Sequence, residues 1–176
     1  MRHLRVLVPT AAVVVLANPA LAHHTDLRDT NDVRGKLDIR EVHLSHKERP
    51  PIWRVVTFQK WRIREIWDLG FVLVFLDTAG SSESDYYALV RSDGERIRAS
   101  LYRDRREARD VALRGLRTWR VGGRSVSVAV PLRFLEFGPH RTSYLWWAMT
   151  LKTGPACHRV CIDLAPDGGA VEQLLG

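Results

Sequence analysis

Beyond residue 36 the chain predicts an all-β fold, a jelly-roll-like, two-layer antiparallel β-sandwich of about eight strands with one or two short helical turns, a closed barrel being a near neighbour. Three observations carry that expectation. Apolar and polar residues alternate with period two in "IWRVVTFQKW", "YYALVRS", "ERIRASLYR" and "SVSVAVPL". The runs are short, and clusters of Gly, Asp and Ser separate them.

In chain order, the basic "MRHLR", the apolar "VLVPTAAVVVLA" and the small-residue "ALA" at Ala20–Ala22 read as a signal peptide over residues 1–22. A single secreted, extracellular domain then spans 23–176 and begins at His23. The apolar run is too short to cross ~30 Å of hydrocarbon as a helix, and no later segment predicts a membrane span. Of the 27 basic and 20 acidic side chains, Arg2 and Arg5 belong to the leader, which leaves the domain at about +5. The arginines are interspersed with acids, as in "RDRREARD", and that scatter argues against a nucleic-acid footprint. An anionic surface partner such as a cell-wall polymer fits the charge.

The first polar segment, "DTNDVRGKLDI", leads into a strand over "KLDIREVHL". Calcium takes six to eight hard oxygen ligands, and Asp29, Asn31 and Asp32 offer such oxygens where the chain can curl. The spacing is not that of an EF-hand, because Arg34 stands where the invariant Gly belongs and Arg40 where the bidentate Glu belongs. Further ligands must come from elsewhere: first Asp77, ending the central strand "GFVLVFLDT", and Asp85, closing "TAGSSES", then Asp163 or Asp167. The competing reading is that these Asp and Asn side chains bond their own turn backbones.

"GFVLVFLDT" is apolar on both faces and reads as a central strand covered on both sides. "SDG" at Ser92–Gly94 joins the next two runs as a tight hairpin, and in the second run Ile97, Ala99 and Leu101 form the core face. "RDRREARDVALRGL" and "PLRFLEF" are the two candidate helical turns, and "TWRV" is a further strand. In "SYLWWAMTLK" the greasier set, Leu145, Trp147, Met149 and Leu151, reads as core-facing, which turns Tyr144 and Trp146 outward. Exposed flat rings at strand spacing suit stacking on sugars; alternatively Trp146 lies beneath a loop. Cys157 and Cys161, the two cysteines, read as a disulfide in an exported chain. An extended "CHRVC" would hold their Cα atoms about 13 Å apart, so the segment must curl; zinc through these thiols and His158 is the weaker alternative. The closing "PDGGAVEQLLG" reads as a loose tail.

"HHTD" follows the cleavage point. A terminal His chelates copper through its amine and imidazole, and such a brace at His23 needs a second His from His43, His46 or His140. There is no G-x-S-x-G, H-E-x-x-H or phosphate loop.

The segments "DTNDVRGKLDIREV", "FLDTAGSSESDYYALV" and "CHRVCIDLAPDGG" resemble exported bacterial domains of the DOMON-like β-sandwich group, which includes the family nine carbohydrate-binding modules. The resemblance implies a non-catalytic sandwich with a structural calcium ion near its N-terminal segment. Haem-binding members use an axial Met and His, and no spacing around Met149 matches theirs. The expectation is therefore a secreted, non-enzymatic binding domain for carbohydrate or a cell-surface polymer. A purely structural or protein-interaction domain and a copper enzyme built on His23 are the alternatives.

Overall fold

The computed structural model describes residues 24–46, 49–105, 108–154, 157 and 160–175. The leader, the cleavage point, His23 and His158 lie outside the described residues. Eleven strands form: β1 (His24–Arg28), β2 (Ile39–Ser45), β3 (Ile52–Thr57), β4 (Gly70–Asp77), β5 (Tyr86–Ser92), β6 (Ile97–Arg103), β7 (Val111–Arg120), β8 (Ser125–Ala129), β9 (Ser143–Lys152), β10 (Cys161–Ala165) and β11 (Val171–Leu174). Among the described residues two 3-10 turns accompany them, at Ile63–Ile66 and Leu132–Phe134, the second inside "PLRFLEF".

The strands make one antiparallel sheet in the order β1-β2-β3-β8-β7-β6-β5-β4-β9-β10, with β11 continuing along the β9 edge beyond β10. The eight-strand, two-layer expectation is corrected on both counts. β7 pairs with β6 through Val111–Leu116 and with β8 through Arg117–Arg120, so it belongs to both halves and no break separates them. Its ten residues include the last six of one candidate helical turn, because "VALRGLRTWR" gains strand partners in β6 and β8 that local helix would forgo. The expected tail is β11, held on β9 from Val171 opposite Trp146 to Leu174 opposite Ser143.

The sheet curls until its two halves face each other over one core. Trp53 of β3 meets Trp146 of β9 edge-on, with ring centroids 6.5 Å apart, and Tyr144 lies beside Trp53 at 6.4 Å. Val42, Leu44, Val72, Val74, Leu76 and Leu101 fill the remaining interior and are fully buried. The ends of the sheet almost meet: the Ile39 N–H of β2 donates to Asp163 Oδ2 of β10 at 2.5 Å, and Thr25 Oγ1 of β1 donates to Gln173 Oε1 of β11 at 3.0 Å. Side chains, not a strand ladder, bridge this seam, giving a nearly closed barrel. No helix among the described residues is long and apolar enough to cross a membrane.

Candidate metal centre and binding face

Five carboxylates gather at the seam. The β1–β2 loop contributes Asp29, Asp32 and Asp38, β10 contributes Asp163, and the β10–β11 loop contributes Asp167. Oxygens of Asp29, Asp163 and Asp167 lie within 4.8 Å of one another, as do those of Asp32, Asp38 and Asp163. Local packing brings the loop here. Gly70 leaves room for Leu37, whose Cδ1 would stand 2.9 Å from any Cβ at that position, and Thr150 Oγ1 donates to the Leu37 carbonyl at 2.6 Å. Cys157 and Cys161 are joined, as expected, with Cα atoms 5.4 Å apart, and Cys157 Sγ sits 3.9 Å from the Arg34 carbonyl of the same loop.

The acids crowd one another in a desolvated place. Asp38 is 2% and Asp163 3% exposed. Burial, reinforced by the charges of Asp29, Asp38 and Asp32, pushes the Asp163 carboxyl up to about 7 against the Ile39 N–H that stabilises its anion. Burial and the Asp32 and Asp29 charges raise Asp38 to about 6, and burial with the Asp167 and Asp32 charges also raises Asp29. Among the described residues no Lys or Arg forms an ion pair with any of the five. Asp29 Oδ2 and Asp38 Oδ1 are buried without a hydrogen-bond partner. Orphaned anionic oxygens are what a hard divalent cation satisfies, so this donor set fits calcium.

The sequence-predicted ligands divide. Asp29 and Asp32 are in the group, Asn31 between them is exposed, and Asp163 and Asp167 join while Asp77 and Asp85 do not. Asp163 pairs with Thr150 and Asp77 with Leu145 along β9–β10 and β4–β9, which puts them roughly 17 Å apart along the strand direction. Asp77 instead accepts the N–H groups of Gly80, Ser81 and Ser82, and Asp85 accepts those of Thr78 and Ala79 together with the Thr78 hydroxyl. Both bond the backbone of their own turn. Asp38 escaped sequence reasoning because it stands inside a strand-like run; its position one residue before a buried strand was the available signal.

The expected ligand residues Tyr144 and Trp146 are corrected as well, since both are fully buried. On β9 the larger, more apolar set faces outward: Leu145, Trp147, Met149 and Leu151 are half-exposed while Tyr144, Trp146, Ala148 and Thr150 point in. Alternation fails as a guide where both faces are apolar, and β4 shows the same doubling with Phe71, Leu73 and Phe75 outward. The two strands are neighbours, and together with β5, β6 and β10 they build an outward apolar face. Its first row is aromatic, with Tyr102 stacked on Tyr87 at 5.1 Å, Tyr87 against Phe75 at 5.8 Å and Phe75 stacked on Trp147 at 5.3 Å. The second row runs Leu89, Leu73, Met149, Leu164, and the third Arg98, Arg91, Phe71, Leu151, Ile162. Asp104 and Asp110 rim a shallow depression of about 410 Å³ on this face.

Of the histidines considered for copper, His46 bonds the Tyr144 hydroxyl at 2.6 Å, His140 occupies an exposed turn, and His43 meets Asp26 on β1. Comparison of the chain with protein-family models, with curated proteins and with solved structures finds no match in any of the three.

Proposed function

We propose that the protein is a non-enzymatic interaction domain, working outside the cytoplasm, that pairs with a second copy of itself through the outward face of β6, β5, β4, β9 and β10. Calcium at the Asp29–Asp38–Asp163 centre holds the seam and keeps that face in register. The observation that carries the reading is the three-row apolar face, since contiguous apolar patches on soluble domains commonly mark binding surfaces. Five strands by three rows cover roughly 500 Å², short of the ~800 Å² per partner of a stable complex, so the pairing is weak and concentration-dependent.

Charge favours a second copy. Asp104 and Asp110 border the aromatic row, and Arg91 and Arg98 lie two rows away on the same strands. A two-fold axis along the Leu73–Leu89 row places the acidic border of one copy over the basic border of the other, twice, as an isologous interface requires. Sugar stacking is less well served. The two stacked pairs, Tyr87–Tyr102 at 5.1 Å and Phe75–Trp147 at 5.3 Å, cover one face of each ring with its neighbour, whereas a sugar needs a free face.

Sedimentation equilibrium of the full chain in calcium tests the reading. A monomer–dimer equilibrium that disappears in Phe75→Ser/Trp147→Ser, with the circular dichroism unchanged, supports it. A wild type that stays monomeric at every concentration overturns it, and retention on immobilised polysaccharides by such a monomer returns the face to carbohydrate.

A further inference from the structure

β1 is the terminal strand of the sheet order, five residues long, and its outward side chains sit beside those of β2. Asp26 is the register partner of His43, His24 of Ser45 and Arg28 of Glu41. Two imidazoles and a carboxylate consequently converge on the outside of the barrel. His24 Nε2 stands 3.0 Å and His43 Nδ1 2.5 Å from the same oxygen, Asp26 Oδ1, and the three donor atoms lie within 4.8 Å of one another. The two rings are close to parallel, at 21° and 6.4 Å between centroids. The other nitrogen of His43, Nε2, is 3.1 Å from Glu41 Oε2, and Arg40 Nε stands in an ion pair 3.2 Å from the second oxygen of that carboxylate, Oε1.

We propose that His24 Nε2, Asp26 Oδ1 and His43 Nδ1 bind a divalent transition ion of the zinc–copper class, with Glu41 orienting the His43 ring. Two imidazoles and one carboxylate are the donor types such ions select, and three protein ligands leave a coordination position for water. A carboxylate on the remote nitrogen is the outer partner that fixes the tautomer of a metal-binding histidine. With Nε2–H donating to Glu41, His43 presents Nδ1 to the metal. An Asp side chain has an ordinary pKa of ~3.9, so at neutral pH Asp26 supplies an anionic oxygen where the ion sits. The ion replaces the contacts that now join the rings to Asp26, and a proton standing on a ligating nitrogen leaves to solvent on binding. Donors now 2.5 and 3.0 Å apart must open slightly to accept an ion about 2.0–2.1 Å from each, and two of the three side chains are half-exposed and able to move. Arg28, opposite Glu41, and Arg54, opposite His43 on β3, add positive charge nearby and keep the affinity modest.

This centre is separate from the acid group at the seam. It offers nitrogen ligands where that group offers oxygen alone, and it ties β1 to β2 and not β2 to β10. Its effect on the fold is to fasten the N-terminal edge strand.

The test is a titration of the full chain with zinc(II), tag-free, chelator-stripped and then saturated with calcium to fill any oxygen-ligand site. In this chain residue 23 carries no free amine. One equivalent binds, with a heat that depends on the ionisation enthalpy of the buffer. His24→Gln and His43→Gln each weaken binding by about tenfold or more, Glu41→Gln by about 10–100-fold, and Asp163→Asn leaves it unchanged. A measurement on the unaltered chain guards against misfolded variants: zinc shifts the ring resonances of His24 and His43 and not those of His46 or His140. Absence of a zinc equivalent, or an equivalent that persists in His24→Gln/His43→Gln with the ring resonances unmoved, overturns the proposal.

Discussion

Asp163 is the residue on which the seam turns. In the folded chain it keeps its proton up to about pH 7, while in an unfolded chain an Asp releases it near ~3.9. Between those values the folded state binds more protons, so stability from this group falls as pH rises through about 4 to 7 and stays low above. In chelator, therefore, the wild type loses more melting temperature between pH 5 and pH 8 than Asp163→Asn, whose side chain has no charge to desolvate. Calcium reverses the comparison. At a hundredfold excess over its Kd it adds about 2.7 kcal/mol, roughly 5–10 °C for a domain of this size, and Asp163→Asn loses most of that increment. Asp77→Asn is the contrasting variant: it weakens three N–H bonds in its turn and costs about 1–3 kcal/mol, yet leaves the calcium increment intact. Equal melts in calcium and chelator would remove the ion from the account. Much of this was legible in the sequence. Asp29, Asp32, Asp163 and Asp167 stand out as oxygen donors in polar segments, whereas separating them from Asp77 and Asp85 needs the strand register, which no local pattern encodes.

Strand β9 shows where pattern reading stops at the level of an element. Alternation placed its residues on two faces correctly and chose the wrong face as core, since hydrophobicity ranks Leu145, Trp147, Met149 and Leu151 above a set that includes Ala148 and Thr150. What decides the matter is the partner across the barrel: Trp53 occupies the space opposite Trp146, and small residues beside Trp146 admit both indoles. The hairpin at Ser92–Gly94 and the core face of β6 needed only local information and are found as expected. The orientation of β9 has a direct check. Trp146→Ala empties a fully buried site and costs about 3–5 kcal/mol, whereas Trp147→Ser on the outward face costs about 1–2 kcal/mol. Urea unfolding of the two variants measures the order, and a larger loss from Trp147→Ser would invert the assignment of faces.

The whole molecule is one sheet with one seam. Length and strand count alone suggest two stacked sheets; the shared β7 makes a single curled one, and the seam falls between its first and last strands. Opening the barrel therefore starts there. Hydrogen exchange at the Ile39 amide, which bonds Asp163 across the seam, should quicken by about tenfold or more when calcium is chelated if the ion contributes about 1.4 kcal/mol or more to that closure. Amides of β5, enclosed between β4 and β6, should keep their protection. Quickening of both to the same extent would mean that the ion steadies the whole fold and not the seam.

The two sides of the seam are far apart along the chain. Ile39 and Asp163 are separated by 124 residues, so joining them closes a loop that costs roughly 4 kcal/mol in chain entropy. A polypeptide that crosses a membrane from its N-terminus delivers Asp29, Asp32 and Asp38 first and Asp163 and Asp167 almost last. During transit the early carboxylates have no partners to crowd, and the burial and repulsion that raise Asp163 are absent. On the proposed export route all five acids meet only after the chain has emerged, where the proposed calcium ion is taken up. The ion then offsets more than half of the closure entropy when present at a hundredfold over its Kd. On that reading the ion is taken up late and steadies a seam that the barrel already forms without it.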